Sequence, residues 1–289
     1  MLDGAISFLR CPQCAHGGPL TRVGGTLRCG TGHNFDIARS GYVSLLGGPP
    51  KYQGDTPAMV TARRDFLAAG HFAGLADTLA EAAAISVTSV ASVTSAASPG
   101  CVVDSGAGTG YYLARLLDRL PGAIGLALDV SKSALSLAAH AHRRVAAVGC
   151  DIWRQLPVAD GAADLALSVF APRNAAELAR ILRPGGRLLV GTPAADHLAE
   201  LIGPLAMLRV DETKEQRLAA KLSPYFNLDA ATEYRATVSL DHRAVGMLVT
   251  MGPSSWHTQP GELAAMIAEL PDPVPVTVAV RLATYRAWR

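Results

Sequence analysis

From Cys101 onward, short runs of β-branched and apolar residues alternate with Ala- and Leu-rich runs of helical period. The strand-like runs are CVVDSG (101–106), AIGLALDV (123–130), VAAVGCDI (145–152), ADLALSVF (163–170) and the end of RPGGRLLVGTP (183–193). Between them lie YYLARLLDRL (111–120), KSALSLAAHA (132–141) and AAELARIL (175–182), whose apolar positions recur every three or four residues. Strand, helix, strand in that order predicts a parallel sheet with helices on both faces, a Rossmann-like α/β fold over residues 99–289. A ligand of such a sheet lies beyond the carboxyl ends of its strands, where the first loop begins.

The pattern before residue 100 differs. Thr56 to Leu67 reads as a helix, with Asp55 or Thr56 as its N-cap, Pro57 in the first turn and Gly70 just past the end. A second helix is expected over Phe72 to Ala84, and the Ala/Ser/Thr/Val-rich run ISVTSVASVTSAASPG (85–100) reads as a linker. Residues 1–40 show neither period and are punctuated by glycine pairs. The expected organisation is a small module over 1–40, a helical connector and linker over 41–98, and the α/β domain over 99–289.

The small module carries Cys11-x2-Cys14-x14-Cys29-x3-His33. Two close ligand pairs, each on a tight turn and joined by a hairpin, suit a tetrahedral metal, and four protein ligands close the coordination of a structural zinc. A segment this short cannot bury enough apolar surface to fold unaided, so the metal would supply its stability. His16 is a rival ligand, but Cys29-x3-His33 makes the better turn pair. A disulfide is disfavoured by the odd number of cysteines in the cluster and by a reducing compartment. Cys101 and Cys150, at the edges of apolar runs, read as small core residues.

In the α/β domain the first strand runs into Asp104-Ser105-Gly106-Ala107-Gly108-Thr109-Gly110-Tyr111. The glycines at 106, 108 and 110 allow a tight turn and a close approach of backbone to ligand, yet Tyr111 stands where a dinucleotide cradle needs glycine. Asp104 before the turn suits a cationic ligand instead, such as the amino group or sulfonium of S-adenosylmethionine. Asp129 closes the second strand and can accept from ribose hydroxyls. Asp151 follows the third and can accept from an adenine amino group, with Ile152 packed on the ring. The bland alternative makes Asp104 a turn acid and Asp129 the cap of the helix near Ser131, but it leaves three acids at three strand ends to coincidence. The domain is similar to class I S-adenosylmethionine-dependent methyltransferases.

Composition narrows the setting. Of 289 residues, 49% are hydrophobic and 17% charged, enough for a core and too apolar for a disordered chain. No run reaches the roughly 18 apolar residues of a membrane span, and the N-terminus carries an acid where a secretion signal carries basic residues, so a cytoplasmic protein is expected. The net charge of +2 is small, but residues 1–75 hold seven basic and four acidic side chains while the remainder sums to −1. A polyanion would therefore meet the N-terminal quarter.

What the domain methylates leaves little local signature, because in-line transfer mainly requires positioning and dryness. Ala171-Pro172-Arg173-Asn174 lacks the motif of exocyclic-amine methylation, and no Pro-Cys pair offers a nucleophile for attack through a pyrimidine carbon. Several segments taken together go further: Cys11-x2-Cys14, His33-x-Phe35-Asp36, Gly41-Tyr42-Val43, Gly54-Asp55, Ala62-Arg63-Arg64-x-Phe66-Leu67-x2-Gly70-His71, the glycine turn to Tyr111, Ala171-Pro172, Thr192-Pro193 and His197-Leu198. Across almost its full length the chain resembles the 23S rRNA guanine-N1 methyltransferases. Met251-Gly252-Pro253-Ser254-Ser255-Trp256-His257 is most similar to the Gram-positive branch that includes tylosin-resistance methyltransferases.

The resemblance implies zinc on Cys11, Cys14, Cys29 and His33, and cofactor contacts from Phe72, Gly110, Tyr111 and His197. Without it His197 reads as a surface residue at a helix start. It also implies a guanine in a hairpin loop lining the peptide exit tunnel, a contribution to macrolide resistance and a two-fold dimer. Guanine N1 faces its Watson–Crick partner and carries a proton, so the target must be unpaired or flipped and must lose that proton. Arg39, Lys51, Arg63 and Arg64 are the expected RNA contacts. No general base is assured. Asp55 is a candidate beside its capping role, and Trp256 and His257 read equally as base-pocket or core residues. Two rival readings are a small-molecule or protein methyltransferase scaffolded by a zinc ribbon, and a zinc-ribbon RNA-binding protein that senses the cofactor without using it.

Overall fold

In the computed structural model, residues 2–14, 17–91, 100–208, 213–252 and 260–288 are described. The chain opens with one helical turn, α1 (Leu2–Ala5), followed by the hairpin β1 (Leu20–Val23) and β2 (Thr26–Cys29) and by β3 (Asn34–Asp36). These three strands form an antiparallel sheet of order β1-β2-β3. The next strand, β4 (Val43–Ser44), leaves this ribbon and pairs in parallel with β7 (Val145–Gly149) of the main sheet.

Two helices follow. In α2 (Pro57–Ala68) Thr56 is the N-cap, its hydroxyl accepting from the Met59 amide at 3.3 Å, and Pro57 opens the first turn. Asp55, the other expected cap, instead pairs with Arg63. The second helix, α3 (Ala73–Ala91), runs through the first half of the Ala/Ser/Thr/Val-rich segment that reads as a linker; residues 92–99 lie outside the described residues. Small residues do not bar a helix whose apolar positions can pack, and Leu75, Leu79, Ala80 and Ala83 of α3 are buried.

The expected α/β alternation follows as β5 (Cys101–Ser105), α4 (Tyr111–Arg119), β6 (Ile124–Asp129), α5 (Lys132–Ala141), β7, β8 (Ala163–Val169), α6 (Ala175–Ile181) and β9 (Leu182–Pro193). The segment Arg183–Arg187 forms an irregularity within β9, where Ala163 pairs with Leu182 but Leu165 pairs with Arg187. The chain continues with α7 (Ala199–Ile202), α8 (Lys214–Leu222), β10 (Phe226–Leu240), α9 (His242–Thr250), α10 (Pro260–Ala268) and β11 (Val274–Ala287). The order β10-β11-β9-β8-β5-β6-β7-β4 is parallel from β9 to β4, with β11 and β10 added antiparallel at the other edge. The long pair β10–β11 has no counterpart in the reading of the sequence alone.

Alternate residues of the central strands feed two cores, as strand geometry requires. Val102, Ala127 and Ala147 join the core under α2, α3, α4, α5 and α9. Cys101, Val103, Leu126, Leu128 and Val148 face the opposite side with Leu27 and Phe35 of the ribbon and Leu178 of α6. The second face is therefore covered largely by the metal-ribbon segment and the N-terminal turn instead of by a full layer of helices. Cys101 and Cys150 are buried core residues, as their apolar flanks suggest.

Candidate functional site

Two sites emerge, one in the ribbon and one at the strand ends. In the ribbon, the ligand atoms of Cys11, Cys14, Cys29 and His33 all lie within 4.8 Å of one another. The sulfurs of Cys14 and Cys29 are 3.7 Å apart, and His33 Nδ1 stands 3.6 Å from Cys11 Sγ, 3.6 Å from Cys14 Sγ and 3.3 Å from Cys29 Sγ. A zinc ion with Zn–S near 2.3 Å and Zn–N near 2.0 Å sets tetrahedral edges of roughly 3.8 Å between sulfurs and about 3.5 Å between sulfur and nitrogen. The four residues fit that ion. Thr31, which the spacing does not flag, places its hydroxyl 3.0 Å from Cys29 Sγ and 3.1 Å from Cys14 Sγ. That contact chiefly holds the Cys29 thiol down to about 5, favouring the thiolate a metal needs. His16 lies outside the described residues.

The second site is a cavity of about 950 Å³ at the carboxyl ends of β5, β6, β7, β8 and β9. This is the switch point of the sheet, where the chain leaves β5 toward β6 on one side and β8 lies on the other. Asp104 lies 3% exposed at the end of β5, and its carboxyl is pushed up to about 8 by burial, with the Asp129 charge adding. A carboxyl so placed is best satisfied by a cation entering the cavity. Gly106 has φ +80°, and a Cβ there would stand 2.6 Å from the Ala171 Cβ, so only glycine lets the turn pass.

Asp129 receives the Gly108 amide at 2.8 Å and the Ser131 amide at 2.8 Å, one on each carboxylate oxygen, and burial raises its pKa. Each oxygen keeps a second lone pair for a hydroxyl in the cavity. Asp151, buried, accepts from the Lys51 amide at 2.9 Å and the Trp153 amide at 3.0 Å. Backbone donors thus fix both acids in orientation before any ligand arrives. Phe72 is a buried residue of the same cavity wall, edge-on to Phe66 with centroids 5.0 Å apart.

Of the residues expected around the cofactor, the cavity gathers Phe72, Asp104, Gly106, Gly108, Asp129, Asp151, Ile152 and His197. Gly110 and Tyr111 do not line it. Gly110 is the N-terminal boundary of α4 and abuts Ala138 and Ala141 of α5; Tyr111 begins the helix, and its neighbour Tyr112 faces the cavity. Among the expected RNA contacts, Arg63 also lines the cavity, whereas Arg64 is exposed and paired with Asp65 at 2.8 Å. Lys51 is exposed with its ammonium 5.4 Å from the centre of the Tyr52 ring, and Arg39 is exposed between β3 and β4. Trp256 and His257 lie outside the described residues.

The reading of the sequence missed Phe170. This residue directly follows β8 with φ +52°, a left-handed conformation costly for a bulky side chain, and stays 41% exposed at the cavity. Its ring stacks on the His197 imidazole at 5.7 Å with an interplanar angle of 26°. His197 Nδ1 accepts from the Ala279 amide at 3.3 Å, which fixes the orientation of the ring. The only sequence signal for Phe170 is its place just before Ala171-Pro172. Arg173 was also missed. Its guanidinium lines the cavity near the Gly191 carbonyl, and burial lowers its pKa to about 10.

Fold, acidic strand ends and metal cluster together define a class I S-adenosylmethionine-dependent methyltransferase with a zinc ribbon. Comparisons with known proteins sharpen this. The family described as "RlmA, N-terminal", a zinc ribbon, matches residues 9–51, and a methyltransferase domain matches residues 102–186. The chain is 50% identical to the 23S rRNA (guanine(748)-N(1))-methyltransferase of Streptomyces fradiae, with 99% of each chain covered. It is 49% identical, over 97% of this chain and 98% of the other, to a Micromonospora griseorubida protein whose name carries the same rRNA guanine-N1 activity. YxjB of Bacillus subtilis, named for that activity too, shares 28% identity over 92% of both chains. The protein belongs to the 23S rRNA guanine-N1 methyltransferase family. Membership decides for an RNA methyltransferase over the small-molecule, protein-modifying and non-catalytic readings.

Proposed function

We propose that this enzyme methylates N1 of a single guanine in a hairpin loop of 23S rRNA, the guanine that names the Streptomyces fradiae relative. The observation that carries the proposal is the Phe170 platform. An exposed aromatic ring, held by an unfavourable backbone conformation and backed by His197, stands at the cofactor cavity where an extruded base would stack.

When bound, S-adenosylmethionine supplies a methyl carbon on a sulfonium. Asp104 would hold its ammonium, Asp129 its ribose and Asp151 its adenine amino group, with Ile152 and Phe72 against apolar surface. Phe170 would orient the guanine so that N1 meets the methyl in line, and the stacked base would itself displace water from that face of the cavity. His197, with Nδ1 accepting from the Ala279 amide and its ring stacked on Phe170, serves here as the support of that platform. Arg173 adds positive potential on the cavity wall, which favours the N1-deprotonated guanine.

Arg39, Lys51 and Arg64, all exposed, would meet phosphates. Among the described residues no helix is long and apolar enough to cross a membrane. A two-fold dimer and protection against macrolides belong to the same reading; sedimentation equilibrium and drug susceptibility of a complemented strain test them. The reaction itself is tested by nucleoside mass spectrometry of unmodified 23S rRNA incubated with protein and S-adenosylmethionine. One 1-methylguanosine per RNA is expected, and its absence while the cofactor still binds would refute the proposal.

A further inference from the structure

S-adenosylmethionine ends in both an ammonium and a carboxylate, and Asp104 answers only the first. We infer that Arg63 is the receptor for the carboxylate, so that Asp104 and Arg63 together bind the zwitterionic end of the cofactor across the glycine turn. Three observations converge on this. First, Arg63 projects from α2 toward the turn, since a Cβ on Gly108 would stand 3.2 Å from Arg63 Nη1. Only the missing side chain at Gly108 leaves room for both the guanidinium and a ligand over the backbone.

Second, the guanidinium is fixed in place. It pairs with Asp55 and donates from Nη2 to the Met251 carbonyl at 2.7 Å, and the side chain is 27% exposed. Asp55 is thereby a clamp on Arg63, and a fixed planar fork is the arrangement that recognises a carboxylate well. Third, Arg63 and Asp104 flank one place. Both line the same cavity, together with Gly106, Gly108 and the half-buried Tyr112. The other cavity Lys and Arg residues, Arg173, Arg217 and Lys221, come from the loop between β8 and α6 and from α8.

This reassigns a residue that the N-terminal positive excess alone would give to RNA. Arg63 and Arg64 are adjacent in sequence, but one turns into the cavity and the other lies on the surface.

The test is titration calorimetry of the zinc-loaded full-length chain with S-adenosylmethionine and with its decarboxylated analogue, which keeps the ammonium, sulfonium, ribose and adenine. The natural protein should bind the analogue at least about tenfold more weakly, since charge-assisted bonds are lost. Arg63→Gln should bind the two ligands within about twofold of each other, and Arg63→Lys should restore part of the preference. RNA affinity of Arg63→Gln, measured without cofactor, should stay within about twofold of the parent. Equal binding of both ligands by the natural protein would overturn the inference and needs no variant to fold. Undiminished preference in Arg63→Gln, or a loss confined to RNA affinity, would overturn it as well.

Discussion

The metal ribbon and the cofactor cavity solve opposite problems with similar residues. In the ribbon four ligands within 23 residues of chain turn inward on one point, and their atoms touch one another. Such a site is complete in itself and substitutes for the core that so short a segment lacks. In the cavity the acids come from three strand ends and the aromatic and cationic partners from α2, the residues before α3, and the ends of β8 and β9. Backbone amides and the Arg63–Asp55 pair set the orientation of its wall, while burial holds Asp104 and Asp129 above the usual carboxylate range. A structural site spends its polar groups on each other, whereas a binding site keeps them aimed at a space.

The two regions are joined by residues 43–55. After the ribbon, β4 enters the main sheet and Tyr52, Gln53, Gly54 and Asp55 wall the cavity. The largest effect is therefore expected from breaking the metal site. Chelation, or Cys29→Ser, should abolish hydrogen-exchange protection over residues 9–44 and weaken cofactor binding as well. Structural zinc is worth about 10 kcal/mol or more in such modules, and undisturbed cofactor affinity in the apo form would separate the two regions.

Next in size is Asp104→Asn, which should weaken S-adenosylmethionine about 10- to 100-fold by removing the ammonium's partner. The fold should hold or gain, because a raised carboxyl pKa means that ionising the group costs stability as pH climbs from the unfolded value toward about 8. The same shift sets a sign for proton linkage. At pH 6.5 Asp104 is mostly protonated, while the free α-amino group of the ligand, with a pKa near 8, is charged. Binding should then release about one proton, read from calorimetry in buffers of different ionisation enthalpy, and Asp104→Asn should release almost none.

Phe170→Ala comes third. A lost stacking contact should lower kcat/KM for RNA about 5- to 100-fold, while the affinity for S-adenosylmethionine stays within about twofold; an equal loss of both would make Phe170 part of the cofactor wall alone. Smallest is Arg64→Ala, expected to reduce the dependence of log K on log salt by about 0.7 for single-stranded RNA. An unchanged slope would remove Arg64 from the RNA path.

How far each region could be read from the chain follows from the same contrast. The ribbon is legible because its ligands are local, so spacing alone nearly states the geometry. The parallel sheet is legible through its alternating periods, and Asp104, Asp129 and Asp151 because they sit at predictable strand ends. What lies between elements was not legible. Arg63 and Arg64 look alike in sequence, and only the packing of α2 against the glycine turn separates them. Phe170 depends on a positive φ that no residue type there announces. The β10–β11 pair was missed because β10 is an edge strand with long exposed stretches, which blurs the alternation that marks a half-buried strand.

Primer extension on a full-length unmodified 23S rRNA transcript, after incubation with the enzyme and S-adenosylmethionine, tests the central claim most directly, because an N1 methyl blocks pairing and halts the polymerase. The account predicts one strong stop, at an unpaired guanine of a hairpin loop, which Phe170→Ala weakens and which moves nowhere else. No stop despite intact cofactor binding, or stops scattered over paired guanines, would contradict a cavity built for one extruded base.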